Sequence, residues 1–261
     1  MKLTPRNYYT EKNKYLSNSK LNDWFFDKQY FYYKWIINKI PREEMTKALT
    51  IGKAVDCYIF DGVKKFKRKF KPVERRDLKN PPSRYTEMTI NDFEQALEMG
   101  ETIRKQSCFK ILQSFSYQTI LQVNYDLQYF KGLCGIPDWF KVIGDKAFIV
   151  DLKTSSTINP NKYHYHCLEY GYYNQQAFYQ ILLQLINPKI VNFESRHLTL
   201  AKNDNKNFYT CEMFKLDQDI IDERKELIKQ EFEKIKEEKD WFPKDANWND
   251  PILIGFQGGD I

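Results

Sequence analysis

Long apolar runs are missing from this 261-residue chain. No stretch reaches the roughly 18 residues that a membrane-spanning helix needs, and the mean hydropathy is -0.68. The first residues, MKLTPRNYYTEKNKYL, contain no apolar core of the kind a secretory leader carries. Both absences predict a cytoplasmic protein with no membrane partner. Cysteine is sparse: Cys57, Cys108, Cys134, Cys167 and Cys211 are odd in number and far apart, with no C-x-x-C. A disulfide scaffold is excluded, and so are zinc or iron–sulfur centres built on closely spaced ligands. Scattered, mostly buried thiols are the expectation. Histidine is scarcer still. His164 and His166 fall in a segment read as a loop, and His197 on a predicted strand reads as core. No internal repeat is visible, and no Gly/Ser linker divides the chain.

What is present suffices for a folded core. Hydrophobic residues make up 42% and charged residues 29%, which excludes a disordered chain. The length fits one large domain. The expectation is a single domain over 1–261. Residues 1–110 form a helical, basic portion, 111–240 an α/β core, and 241–261 a loop-like tail.

Charge is distributed unevenly. Residues 1–80 carry 20 Lys and Arg against 9 Asp and Glu, whereas 81–261 carry 21 against 26. The basic half centres on KKFKRKFK, where Lys64, Lys65, Lys67, Arg68, Lys69 and Lys71 alternate with Phe66 and Phe70. Such a patch is the electrostatic footprint of a phosphate-backbone binder. The competing reading is a solvated loop.

The apolar period places the elements. Leu21, Trp24, Phe25, Phe31, Tyr32 and Trp35 predict a helix over 17–39, capped by Ser17 or Ser19 and ended by Pro41. A second helix is predicted over 43–60 and a third over 89–106, with 63–86 an irregular crossover. From residue 117 the period falls to two. Residues 117–129 and 133–142 then read as paired strands, and a turn at Gly144-Asp145 leads into a third strand, 147–153. A helix over 168–186 follows. Next come a hairpin of 190–201 with 206–215 turning at 203–205, and a charged helix over 217–240 burying Ile220, Leu227, Ile228 and Ile235. The order predicts one α/β domain with an N-terminal helical portion.

The chemistry concentrates in the second and third strands. Asp138 is read as mid-strand within GIPDWF, and Asp151 ends the apolar run AFIVDLK. Alternation puts Asp151 and Lys153 on one side and Leu152 on the other. Antiparallel pairing through the Gly144 turn brings Asp138 beside Asp151. Two adjacent carboxylates repel unless a cation joins them, and hard oxygen ligands select Mg²⁺ or Mn²⁺. A lysine two residues on can orient or deprotonate a water. Metal-assisted phosphodiester hydrolysis needs this set of parts. D-x-K alone says little, since it recurs at Asp77-Leu78-Lys79 and Asp204-Asn205-Lys206. Only Asp151-Leu152-Lys153 has a strand before it and a partner carboxylate at hairpin distance. Gln175 and Tyr179, at i and i+4, share a helix face with Tyr172 and Leu182. They read either as an amide and a phenol over the metal site, or as a helix packed on the sheet.

Together, GIPDWF, AFIVDLKTSS and YYNQQAFYQ resemble the PD-(D/E)XK nuclease superfamily. More narrowly they are similar to its phage and prophage exonuclease branch, the lambda-exonuclease and RecB/RecE-type nuclease domains. YLSNSKLNDWFFDKQYFYYKWI resembles the N-terminal S-x-S-x-L helix of that branch, and LTIGKAVDCYIFDG its G-x-x-x-H-x-x-L helix, with Asp56 standing where the family has His. Gln175-x-x-x-Tyr179 matches its Q-x-x-x-Y motif. The resemblance implies a restriction-endonuclease-like α/β core, a central mixed sheet flanked by helices. It implies an Mg²⁺- or Mn²⁺-dependent DNA exonuclease of phage recombination type. Asp138, Asp151, the Leu152 carbonyl and Asp56 would hold metal. Lys153 would position or activate water, Thr154 and Ser155 would bind phosphate, and Gln175 and Tyr179 would hold the strand. Lys64 to Lys71 would attract double-stranded ends. The branch also implies trimers and a single-strand annealing protein as partner. Where the branch often has a further acid, this chain offers Gln122, whose neutral amide can only support a ligand from behind or hold a water. The rivals are an endonuclease of defence or adaptation and a catalytically inactive DNA-binding relative.

Overall fold

The computed structural model describes residues 2–4, 7–40, 46–74, 86–202 and 208–239. The chain opens with α1 (Tyr8–Glu11), α2 (Asn18–Phe26) and α3 (Lys28–Phe31), the last running into a π-helical turn, Tyr32–Ile36. Then come α4 (Lys47–Asp56) with a second π-turn, Cys57–Asp61, and α5 (Val63–Lys69), β1 (Phe70–Val73), β2 (Thr86–Thr89), α6 (Ile90–Lys105) and α7 (Ser107–Leu112). The second half holds β3 (Ser116–Tyr117), β4 (Leu121–Asn124), β5 (Gly132–Gly135), β6 (Trp139–Ile143) and β7 (Lys146–Ser155). After them follow α8 (Pro160–Glu169), α9 (Tyr172–Ile186), β8 (Asn192–Lys202), β9 (Tyr209–Lys215) and α10 (Gln218–Glu237).

A five-stranded mixed sheet, order β3-β6-β7-β8-β9, forms the centre. Only β7 and β8 run parallel, with Lys146 opposite Asn192 and Ser155 opposite Ala201. The period-two pattern of β7 divides two cores. Ala147 and Ile149 face a cluster shared with α9 and α10. Val150 and Leu152 face another, with Ile51, Val55, Ala96 and Ile103 of α4 and α6. Helices therefore cover both faces of the sheet, and the end of β7 lies between the two layers.

Several boundaries differ from the sequence expectations. The helix expected over 17–39 breaks at Asp27, whose extended backbone lets its carboxylate accept the Tyr30 amide at 2.7 Å and cap α3. Ser17 stands at the start of α2 without capping it. The supposed crossover after Gly62 is instead α5 followed by β1, which pairs in parallel with β2. Phe66 and Phe70, at i and i+4, are fully buried, and Phe66 stacks on Phe93 at 4.8 Å. Two apolar pins thus order a segment that its charge suggested was loose.

The strands expected over 117–129 and 133–142 are both interrupted. β4 pairs with β5 in a separate ladder, and β6 leaves to join β7. Pro137 lies at the switch, and lacking an N–H it cannot continue a ladder. Asp138 is therefore in the break just before β6, not mid-strand. The helix expected over 168–186 is α9 and starts at Tyr172, because Gly171 adopts φ +65° and separates it from α8. His164 and His166 sit on α8 rather than in a loop.

In α10, Ile228 and Ile235 are buried as expected, joined by Ile221 and Phe232, while Ile220 and Leu227 are half-exposed. All five cysteines are free thiols, three of them buried. No described helix is long and apolar enough to cross a membrane. Pro41, the 77–79 and 204–206 D-x-K triplets, the 203–205 turn and the 241–261 tail lie outside the described residues.

Candidate active site

The turn at Gly144, in the left-handed region, closes the β6–β7 hairpin. Its last pair sets Trp139 opposite Val150, so the next residues outward, Asp138 and Asp151, become neighbours. Beyond that pair no described strand pairs with the β6 side of β7. The Asp138 carboxylate fills the place, accepting the Leu152 amide at 2.8 Å. In a strand the N–H and C=O of one residue point the same way, so the Leu152 carbonyl faces this side as well. The other Asp138 oxygen accepts the Gln118 side-chain amide at 2.7 Å. Gln118 has φ +46°, rare for a residue with a Cβ, and its backbone N–H also bonds the Asp138 carbonyl at 3.1 Å.

Beside it on β7, Asp151 is 3% exposed and ion-paired with Lys153. The Lys153 ammonium also donates to Gln175 Oε1 at 2.7 Å and lies 4.3 Å from the centre of the Tyr172 ring. Gln175 Nε2 donates to the Tyr179 hydroxyl at 3.1 Å, and that hydroxyl donates to the Ile136 carbonyl at 3.0 Å. The chain of bonds thus returns to the segment that carries Asp138. Tyr179 reaches it across Gly135, where a Cβ would stand 2.9 Å from the ring. The helix face of Gln175 and Tyr179 was legible in sequence, but the pair sits behind Lys153, fixing it, and Tyr179 is buried.

Electrostatics bind these groups together. Burial, then the Asp151 and Asp56 carboxylates, push the Asp138 carboxyl well above its ordinary range, against the Leu152 amide. Asp56, at the end of α4, is raised to about 7 by burial and by Asp151, opposed by Lys153, Lys69 and Lys53. Burial, the largest single influence, would lower Lys153, but Asp151 together with Asp138 and Tyr172 outweighs it and the net shift is upward. Carboxylates that destabilise one another's charge are the donor set a hard divalent cation relieves. Asp138, Asp151 and the Leu152 carbonyl offer the oxygens for it. Among the described residues, though, no three His, Cys, Asp or Glu side chains stand close enough to enclose a metal. Asp56 therefore faces the pair across the site without joining it in a ready cage.

The remaining expected residues separate into near and far. Thr154 and Ser155 follow Lys153 on β7. Ser155 Oγ is 3.2 Å from His166 Nδ1. Of the six basic residues around α5, Lys65 and Lys69 line a cleft of about 630 Å³ with Lys53, Asp56 and Gln118. Lys64, Lys67, Arg68 and Lys71 are exposed and do not line it. Gln122 accepts the Leu3 amide at 2.6 Å and donates to the Tyr15 hydroxyl at 3.0 Å, tying down the N-terminus. His197 is buried core, 2.8 Å from the Tyr163 hydroxyl, and burial holds it well below the usual imidazole range. Gln118 and Lys53 were missed, since no local pattern marks a residue that reaches a site from a distant turn or helix.

Residues 26–244 match the family described as a PDDEXK-like domain of unknown function (DUF3799). A crystal structure from Eubacterium rectale, described as a putative exonuclease, superposes with a TM-score of 0.64. The two share 17% identity over 90% of this chain and 87% of that one, so the likeness is one of fold. No curated protein matches the chain.

Proposed function

From the premise that the chain belongs to the PDDEXK-like family, we propose that it is a divalent-metal-dependent deoxyribonuclease that trims DNA ends, an exonuclease of phage recombination type. The observation that carries this reading is the cluster of buried Asp151 with half-buried Asp138 and Lys153, where β6 ends beside β7. Asp138, Asp151 and the Leu152 carbonyl would hold Mg²⁺ or Mn²⁺, with Asp56 approaching from α4. A bound cation would supply Lewis acidity and a water acidic enough to attack at neutral pH. Lys153, fixed by Gln175, would set the line of the attacking water and the phosphate. Gln175 and Tyr179 would act through Lys153. Thr154 and Ser155 hydroxyls would take the adjacent phosphate, and Lys65 and Lys69 the approaching backbone.

This reading treats the whole chain as one nuclease domain, because Asp56 from the helical portion and Asp138 and Asp151 from the α/β portion must converge. Trimerisation and an annealing partner rest on the family resemblance alone. The test is digestion of a linear duplex, with its 5′ ends phosphorylated or blocked, against a closed circle of the same sequence. The expected result is Mg²⁺-dependent loss of the linear DNA, stopped by EDTA, with the circle intact. A circle opened at the same rate would assign an endonuclease. Failure to cut either would leave only a binding role.

A further inference from the structure

Two clefts flank the catalytic cluster, and their chemistry differs. The first is the lysine-lined cleft beside Asp56. The second, of about 760 Å³, opens past the end of β7 and is walled by Thr154, Ser155, His166, Tyr170 and Tyr172. Among its described lining residues the lysine is Lys47, which is ion-paired with Asp92 at 2.7 Å. What the second cleft has instead is rings. His166 and Tyr170 are 5.7 Å apart between centres, and Tyr170 and Tyr172 are 5.8 Å apart. Tyr172 in turn lies under the Lys153 ammonium. A continuous run of aromatic groups therefore climbs from the catalytic lysine to the surface, where Tyr170 is 53% exposed.

We propose that this second cleft receives a single-stranded segment of nucleic acid, with an unpaired base stacked on Tyr170. The inference rests on the nuclease reading and adds the form of the substrate on one side of the cut. Every base has a π face, so aromatic platforms bind single strands without regard to sequence. Paired bases keep those faces covered, so a duplex gains nothing from Tyr170. The hydroxyls of Thr154 and Ser155 stand where the strand's sugar–phosphate backbone enters from the catalytic cluster. With Lys47 the one lysine among this cleft's described lining residues, against Lys53, Lys65 and Lys69 in the other, binding here leans on stacking more than on counterion release.

The test measures fluorescence anisotropy of the full chain in EDTA with three labelled probes: an oligothymidylate, an abasic oligomer of equal length, and a duplex. Wild type is compared with Tyr170→Ala and Tyr170→Phe. Tyr170 is exposed, so neither change disturbs the core. Tyr170→Ala should weaken the oligothymidylate by roughly fivefold to 100-fold. Tyr170→Phe should retain the affinity, and neither variant should alter abasic or duplex binding. Unchanged oligothymidylate affinity, or an equal loss on the abasic strand, would overturn the proposal. So would a change confined to sedimentation, which would assign the face to a second copy of the chain. A protein that cuts DNA yet fails the Tyr170 comparison loses only this inference. One that neither cuts nor binds DNA loses the nuclease reading beneath it.

Discussion

The charges at the end of β7 and those on α5 obey opposite rules. Asp151 is buried and Lys153 largely so, and the charged groups there are tied to fixed neighbours: Lys153 to Asp151 and Gln175, Asp138 to Leu152 and Gln118. Removing one member strands its partner in a poorly solvated place. On α5 the order is inverted. Phe66 supplies the buried anchor, while Lys64, Lys67 and Arg68 stay in water. Solvent and salt screen such charges, so each acts weakly and on its own. One residue type, lysine, is thus locked in a hydrogen-bonded geometry in one place and left in water in the other.

The sharpest way to break this contrast is at the buried end. Asp151→Asn and Lys153→Ala should each slow cleavage of a linear duplex by on the order of 10³-fold or more, while DNA binding by gel shift survives. Near-wild-type rates in either variant would remove the site assignment. Next in size is the anchor of the surface set. Phe66→Ala should lower stability by about 3–5 kcal/mol in urea unfolding, although it deletes no charge. A loss below 1 kcal/mol would mean that α5 is not held by its buried ring.

A smaller effect is expected at Asp56, which stands between the two sets. Asp56→Ala should weaken Mn²⁺ affinity by roughly 10- to 100-fold, read by titration calorimetry. Gln122→Ala should leave that affinity alone, because its amide is committed to Leu3 and Tyr15. The reverse order would show that the wrong third group had been chosen. The smallest effect separates lysines within α5. The double variant Lys65→Gln, Lys69→Gln should flatten the slope of log affinity against log salt by about 1.8 units. Lys64→Gln with Lys67→Gln should flatten it less, because neither lines the cleft. Equal slopes for the two pairs would erase the distinction.

Much of this geometry is legible in the sequence. Strand alternation and the Gly144 turn placed Asp138 beside Asp151, and the spacing of Gln175 and Tyr179 gave a shared helix face. These follow because each depends on local period and one short connection. Pro137 was visible but read as part of a strand, although its missing N–H forces the change of pairing partner there. In 63–73 the count of lysines masked the i, i+4 spacing of Phe66 and Phe70, which is what shapes that segment. Gln118 gave no signal, since its position depends on a left-handed backbone that sequence seldom marks outside glycine. Both clefts are assembled from elements far apart in the chain, so no single window could show them.

The parallel pairing of β7 with β8 also fixes an order of events in time. The β6–β7 hairpin closes over a two-residue turn, whereas β8 can reach β7 only after the chain through α8 and α9 has been made and packed. Local hairpins form in microseconds, and ladders between distant segments wait on the closure of long loops. A refolding chain is therefore expected to bring its two carboxylates together first, with Gln175 and Tyr179 closing on Lys153 afterwards. In a pulse-labelling hydrogen-exchange experiment, amides of Trp139–Ile143 should become protected ahead of those of Asn192–Lys202. Simultaneous protection would mean that the carboxylate pair and its clamp assemble in one step.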